Sequence, residues 1–164
     1  MSEGTKDSNT RTISNDFYFA EVQRMLDEGK EVRIRIKGGS MRPFISDGDT
    51  VLLRAYKGEV LTKGCNVLAL HEGKYVFHRY VAASGGKLIL AGDGNLVLRE
   101  YIGKDDIIAV ALSHTPQNSG REVDLNSGWA RLRGLSWYHL RLPRRIIAKL
   151  GSMLSNRNAP DEKK

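Results

Sequence analysis

A chain of 164 residues, 40% of them hydrophobic, has room for one domain with a real core and a short appendage. Its single cysteine, Cys65, excludes an internal disulfide, and no stretch approaches the ~20 apolar residues that a membrane-spanning helix needs. The formal net charge of +7 is unevenly spread: residues 129–154 hold Arg131, Arg133, Arg141, Arg144, Arg145 and Lys149 and no Asp or Glu. That asymmetry points to an anionic partner, lipid headgroups or nucleic acid, against the alternative of a solvated basic helix with no ligand.

Residues 1–13 are polar, charged and aperiodic, which predicts disorder, and they contain no apolar run like that of a signal peptide. Ser14 to Gly29 reads as a helix, with Ser14 or Asn15 as cap, Asp16 in the first turn and Gly29 at the stop. Phe19, Val22, Met25 and Leu26 fall at helical spacing and give it a face to bury. Glu31 to Lys37 alternates: Val32, Ile34 and Ile36 point one way, Arg33, Arg35 and Lys37 the other, as in a half-buried strand. Further strands are expected at Thr50–Arg54, Asn66–Leu70, Tyr75–Ala83, Lys87–Ala91 and Ile107–Leu112, with hairpin turns at Glu72-Gly73-Lys74 and Ser84-Gly85-Gly86. Pro116 to Gly128 reads as a linker. Trp129 to Leu154 reads as helical and broken at Pro143, with one stripe at Trp129, Leu132, Leu135 and Leu140 and another at Ile146, Ile147, Leu150 and Met153/Leu154.

Many short, closely spaced strands predict a mainly β fold, a compact antiparallel coiled β-sandwich or barrel with an N-terminal helix and a C-terminal basic helical segment. The expected organisation is a β domain with its leading helix over 14–115, a linker over 116–128, a basic amphipathic segment over 129–154 and a polar tail over 155–164.

Ser40 follows the Gly38-Gly39 turn and precedes Met41-Arg42-Pro43, so the sequence presents a hydroxyl at a sharp turn between two apolar strands. Gly48-Asp49-Thr50-Val51 follows, then His78-Arg79 on a strand, then Gly92-Asp93-Gly94-Asn95. Each of these residues has a structural alternative: Ser40 as a turn residue, His78 as a satisfied core histidine, Asp93 as an Asx turn. Cys65, flanked by apolar residues, reads as a core residue rather than as the nucleophile of a Cys-His pair with His71 or His78.

The four blocks, in this order, resemble the signal peptidase I family and the related self-cleaving SOS-repressor peptidases, over roughly residues 31–112. The resemblance implies a serine endopeptidase with Ser40 as nucleophile. The base position, a lysine in the bacterial and repressor members, matches His78 here, as in signal peptidases of the endoplasmic-reticulum and archaeal type. Histidine suits the task because its ordinary pKa, about 6.5, lies near working pH. A histidine base needs an orienting partner, and Asp93 is the candidate, with Glu100, Asp105 and Asp106 as stand-ins. The oxyanion hole is expected from the backbone of Ser40 and Met41, since Gly38 has no hydroxyl to add. Met41 and Pro43 are expected to shape the substrate groove, and Arg79 and Asn95 to give structural support; no metal or cofactor is expected.

The family binds its substrate as an extended strand on a sheet edge, with small side chains before the scissile bond, so a peptide or precursor protein is the expected partner. Self-cleavage is not expected, because the ~40 residues before Ser40 leave no room for a helix-turn-helix domain. The 129–154 segment either lies on an anionic membrane surface or packs on the β domain as a closing element. The expected location is cytoplasmic or peripherally membrane-associated. A peptide-binding module with little or no turnover is the alternative function; a nucleic-acid-associated regulator, with nucleic acid an unlikely partner for so apolar a tail, is the third.

Overall fold

A computed structural model describes residues 8–157 of the chain, with side-chain environments for 17–149. Helix α1, Ser8–Asp27, leads into strand β1, Val32–Arg35. The helix starts before the Ser14 expected as its beginning: Ser, Thr and Asn are modest helix formers and do not forbid one. The expected disorder of 1–13 falls on residues 1–7, outside the described residues, and on 8–13, which are helical.

The remaining strands are β2 (Thr50–Ala55), β3 (Asn66–His71), β4 (Lys74–Ser84), β5 (Lys87–Ala91), β6 (Glu100–Ile102), β7 (Ile107–Thr115) and β8 (Val123–Asp124). All pairings are antiparallel, in the order β1-β2-β7-β3-β4-β5-β6, with β8 added to β7. The chain is therefore mainly β, with helices at its two ends. Strands β6 and β8 are additions to the sequence expectation; three and two residues are too few to show a period.

Two hairpins set the register around the site. Glu72 and Gly73 join β3 to β4 with φ of 50° and 73°, and Gly85 and Gly86 join β4 to β5 with φ of 57° and 74°. Two successive positive φ values define the type I′ turn, whose twist matches the flanking strands. Leu90 then faces Tyr80 on one side and Glu100 on the other.

One core cluster joins Val22 and Leu26 of α1 to β1, β2, Met41 and Ile45; a second fills the space among β3 to β7. A third, Val81, Ile89 and Ala91, is covered by Leu135 and Tyr138 of helix α2, Gly128–His139. Ser127 caps α2 by accepting a bond from the Ala130 amide at 3.2 Å. The expected linker 116–128 is thus partly structured: it contains β8, and Leu125 is buried with its amide bonded to the Leu112 carbonyl at 3.0 Å. The helical break falls at Leu140, not Pro143. Pro143 lies in the first turn of helix α3, Arg141–Arg157, where a missing N–H removes no helical bond.

Candidate active site

Ser40 sits in the loop between β1 and β2. Gly38, at φ 88°, turns the chain, and its amide donates to Asp47 Oδ1 at 2.6 Å. After the serine, the amides of Phe44 and Ile45 both bond the Met41 carbonyl, at 3.2 and 3.1 Å. Met41 and Ile45 are buried in the core (1% and 0% exposed) and anchor this loop with roughly 1.5–3 kcal/mol of apolar burial each. Asp49 ties the far end, accepting from the amides of Ser46 at 2.8 Å and Gln117 at 3.0 Å. The loop is thus pinned at both ends while Ser40 stays half-buried at the cleft.

His78, on β4, is buried, and its Nδ1 lies 3.0 Å from Glu100 Oε2 on β6, a carboxylate equally withdrawn from solvent. A carboxylate accepts from an imidazole N–H, so Nδ1 is the ring nitrogen engaged by Glu100 and Nε2 is the one left for another partner. Nε2 points toward Gly92. A Cβ built on Gly92 would stand 3.1 Å from His78 Nε2 and 2.6 Å from the Ser40 carbonyl oxygen. The serine loop and the imidazole therefore meet across a position that only glycine fits.

The turn after Gly92 closes the contact. The Gly94 amide donates to the Ser40 carbonyl at 2.8 Å, and the Asn95 amide to the Gly92 carbonyl at 3.0 Å. The amides of Ser40 and Met41 donate to no other described residue.

Asp93, expected to orient His78, does not. Both its oxygens go to Arg79, at 2.8 Å from Nε and 2.6 Å from Nη2, and Arg79 also donates to the Gly64 carbonyl at 2.6 Å. A planar guanidinium offers a bidentate fork that an imidazole cannot match, so the buried carboxylate follows the arginine. Burial pushes the Asp93 carboxyl above its ordinary value, while Arg79 pulls it back. The carboxylate that meets the His78 imidazole is instead Glu100. Asp105 and Asp106 lie exposed in the turn Lys104–Asp106, where Asp106 accepts from the Gly103 amide at 2.8 Å.

Helix α2 closes this side. A Cβ on Gly134 would collide with the Arg79 guanidinium, Trp137 Nε1 donates to the Asp93 carbonyl at 3.0 Å, and Arg144 lies 3.9 Å over the Trp137 ring. Sequence reasoning did not connect these residues to the site; a buried aspartate in a Gly-Asp-Gly turn is the only hint that a partner must cover it.

Ser40, Met41 and His78 border a cavity of about 550 Å³, walled by Ile34, Ile36, Leu68 and Phe77. Pro43, expected in the groove, is exposed and outside it: the bonds from Phe44 and Ile45 to Met41 wind the chain so that Pro43 faces solvent. Cys65 is a core residue whose thiol burial pushes up to about 11, which disarms it as a nucleophile.

An antiparallel β domain that brings a serine, an imidazole–carboxylate pair and two free amides to one cleft has the layout of a serine-peptidase-type fold. A family model described as Peptidase S24-like matches residues 1–118. The chain belongs to that family, and at this coarse level it is a serine-peptidase-type hydrolase fold. Helices α2 and α3 lie beyond the matched span. A search of curated proteins gave no match.

Proposed function

We propose that the chain is a serine endopeptidase that cleaves a peptide or precursor protein bound as an extended strand. Ser40 is the nucleophile, His78 the general base and Glu100 the group that orients it. The observation that carries the reading is the His78–Glu100 contact, with Nε2 aimed at the Gly92 position shared with the Ser40 loop. In the reaction, Ser40 Oγ adds to the scissile carbonyl while His78 Nε2 takes its proton. Glu100 holds the imidazole and stabilises the charge it gains, and the amides of Ser40 and Met41 meet the oxyanion. His78 then returns the proton to the leaving amine, and a water repeats the sequence on the acyl-enzyme.

The cavity favours an apolar residue beside the scissile bond, because Ile34, Ile36, Met41 and Leu68 form its walls. Strand β1 ends one side of the sheet order, so its free edge accepts an added strand. The test is to incubate wild type, Ser40→Ala and His78→Ala with a peptide library and read cleavage by mass spectrometry. Cleavage by wild type that disappears in both variants supports the proposal. Peptide retention without cleavage in all three overturns it in favour of a binding module.

A further inference from the structure

Helix α3 touches the β domain only through its first turn. Arg141 and Arg144 turn toward the body of the protein there, while Arg145 and Lys149 are exposed beside the aliphatic side chains. Arg141 is 4% exposed and donates through Nη2 to the Leu98 carbonyl at 2.9 Å, and Arg144 lies over Trp137 and reaches the Asp93 carbonyl at 3.4 Å. Its apolar side turns out: Leu142, Ile146 and Ile147 are 68%, 61% and 68% exposed. A helix that only sealed the β domain would bury those three and expose the arginines. Through Arg141 the helix holds the loop before β6, where Val97 and Leu98 are also exposed, at 69% and 57%. The same loop begins at Gly92, beside His78.

We infer that this surface docks on an anionic lipid bilayer, with α3 lying in the interface. The charge distribution selects the occupant. Residues 125–158 contain no Asp or Glu, and Arg145, exposed on α3, flanks the apolar patch with a fixed positive charge. Aliphatic side chains bordered by arginine match acyl chains bordered by anionic headgroups. A second copy would face basic segment with basic segment and be repelled. A polyanion such as nucleic acid would meet the arginines but leave the aliphatic side chains in water. The inference is independent of turnover at Ser40.

The test is co-sedimentation of the full chain with vesicles of phosphatidylcholine alone or with about 30 mol % phosphatidylserine. Binding to the anionic vesicles only, weakening as salt rises, is the expected result. The triple variant Leu142→Ser, Ile146→Ser, Ile147→Ser lowers affinity at least about tenfold, with thermal unfolding as its folding control. Should that variant unfold, Arg145→Glu, which alters one exposed side chain, must lower binding to the anionic vesicles. Equal binding to both vesicle types, or unchanged binding by a folded triple variant, overturns the inference. So does lipid-free dimerisation that the triple variant abolishes, or retention of duplex DNA that exceeds vesicle binding and survives the triple variant.

Discussion

Replacing Glu100 with Gln preserves the shape of the side chain and removes its charge, which isolates the orienting role. The new amide has two ways to meet His78 Nδ1. If its NH₂ donates, Nδ1 becomes the acceptor and the imidazole proton moves to Nε2, so the base has no lone pair for Ser40. Wrong-tautomer substitutions of this kind cost about 10⁴-fold in kcat, or about 5 kcal/mol of barrier. If its carbonyl accepts instead, the tautomer survives, but the NH₂ is buried where only 4% of the residue is exposed. That costs about 1–3 kcal/mol, and the imidazolium loses its counter-charge. Either way kcat/KM for a peptide found in the library screen is expected to fall by at least about 100-fold. The Tm is expected to fall only modestly, by about 2–4 °C per kcal/mol for a chain of this size. Asp93→Asn gives the opposite pattern. It leaves Arg79, 2% exposed, without its carboxylate. Breaking a buried pair this way costs about 3–5 kcal/mol, a large share of the ~5–15 kcal/mol typical of a domain, so stability fails first. Wild-type kcat/KM in Glu100→Gln, or lost turnover in Asp93→Asn at a temperature where it is fully folded, would refute the assignment of Glu100 as the orienting carboxylate.

Gly92→Ala places a methyl group 2.6 Å from the Ser40 carbonyl and 3.1 Å from His78 Nε2. It must separate serine and base, and a shift of ~1 Å is expected to cost about 10²-fold in kcat/KM; full activity would show that the two do not act together. Cys65, 4% exposed with its thiol pushed up to about 11, is expected to react with iodoacetamide only as fast as the protein unfolds; rapid labelling of the native protein would contradict this. Burial holds the His114 imidazole below its ordinary value, opposed by Asp49 at 3.7 Å. The unfolded chain therefore binds this proton more readily, and the contribution of His114 to stability is present above about pH 6.5 and lost as pH falls toward the folded-state value. Urea unfolding of His114→Gln is expected to show a shallower loss between pH 7.5 and pH 5 than wild type; identical slopes would remove His114 as a source.

Much of this protein is written in short-range pattern. The alternation of Val32, Ile34 and Ile36 with Arg33 and Arg35 sets which face of β1 is buried, and the burial follows it residue by residue. The Glu72-Gly73 turn between β3 and β4 and the Gly85-Gly86 turn between β4 and β5 take positive φ, which glycine supplies most readily, so those hairpins are legible without any tertiary information. Ser40 in its glycine-rich turn and His78 on a strand are visible for the same reason, as local chemistry set on local structure. What the chain alone left open were choices between partners distant in sequence. Glu100 lies 22 residues from His78 in a three-residue strand with no period to read, and only the β4–β5–β6 register brings the two together. Asp93 and Glu100 are both carboxylates near the right place, and folding distinguishes them because Arg79 on the same strand as His78 claims one of them with two hydrogen bonds. The amphipathic pattern of α3 fixes that one side is apolar but not which side faces the protein. That depended on what the Leu98 and Asp93 carbonyls and the Trp137 ring offered the arginines. Periodicity reports neighbours along the chain, whereas a buried charge is satisfied by whatever the tertiary fold places within about 3 Å of it.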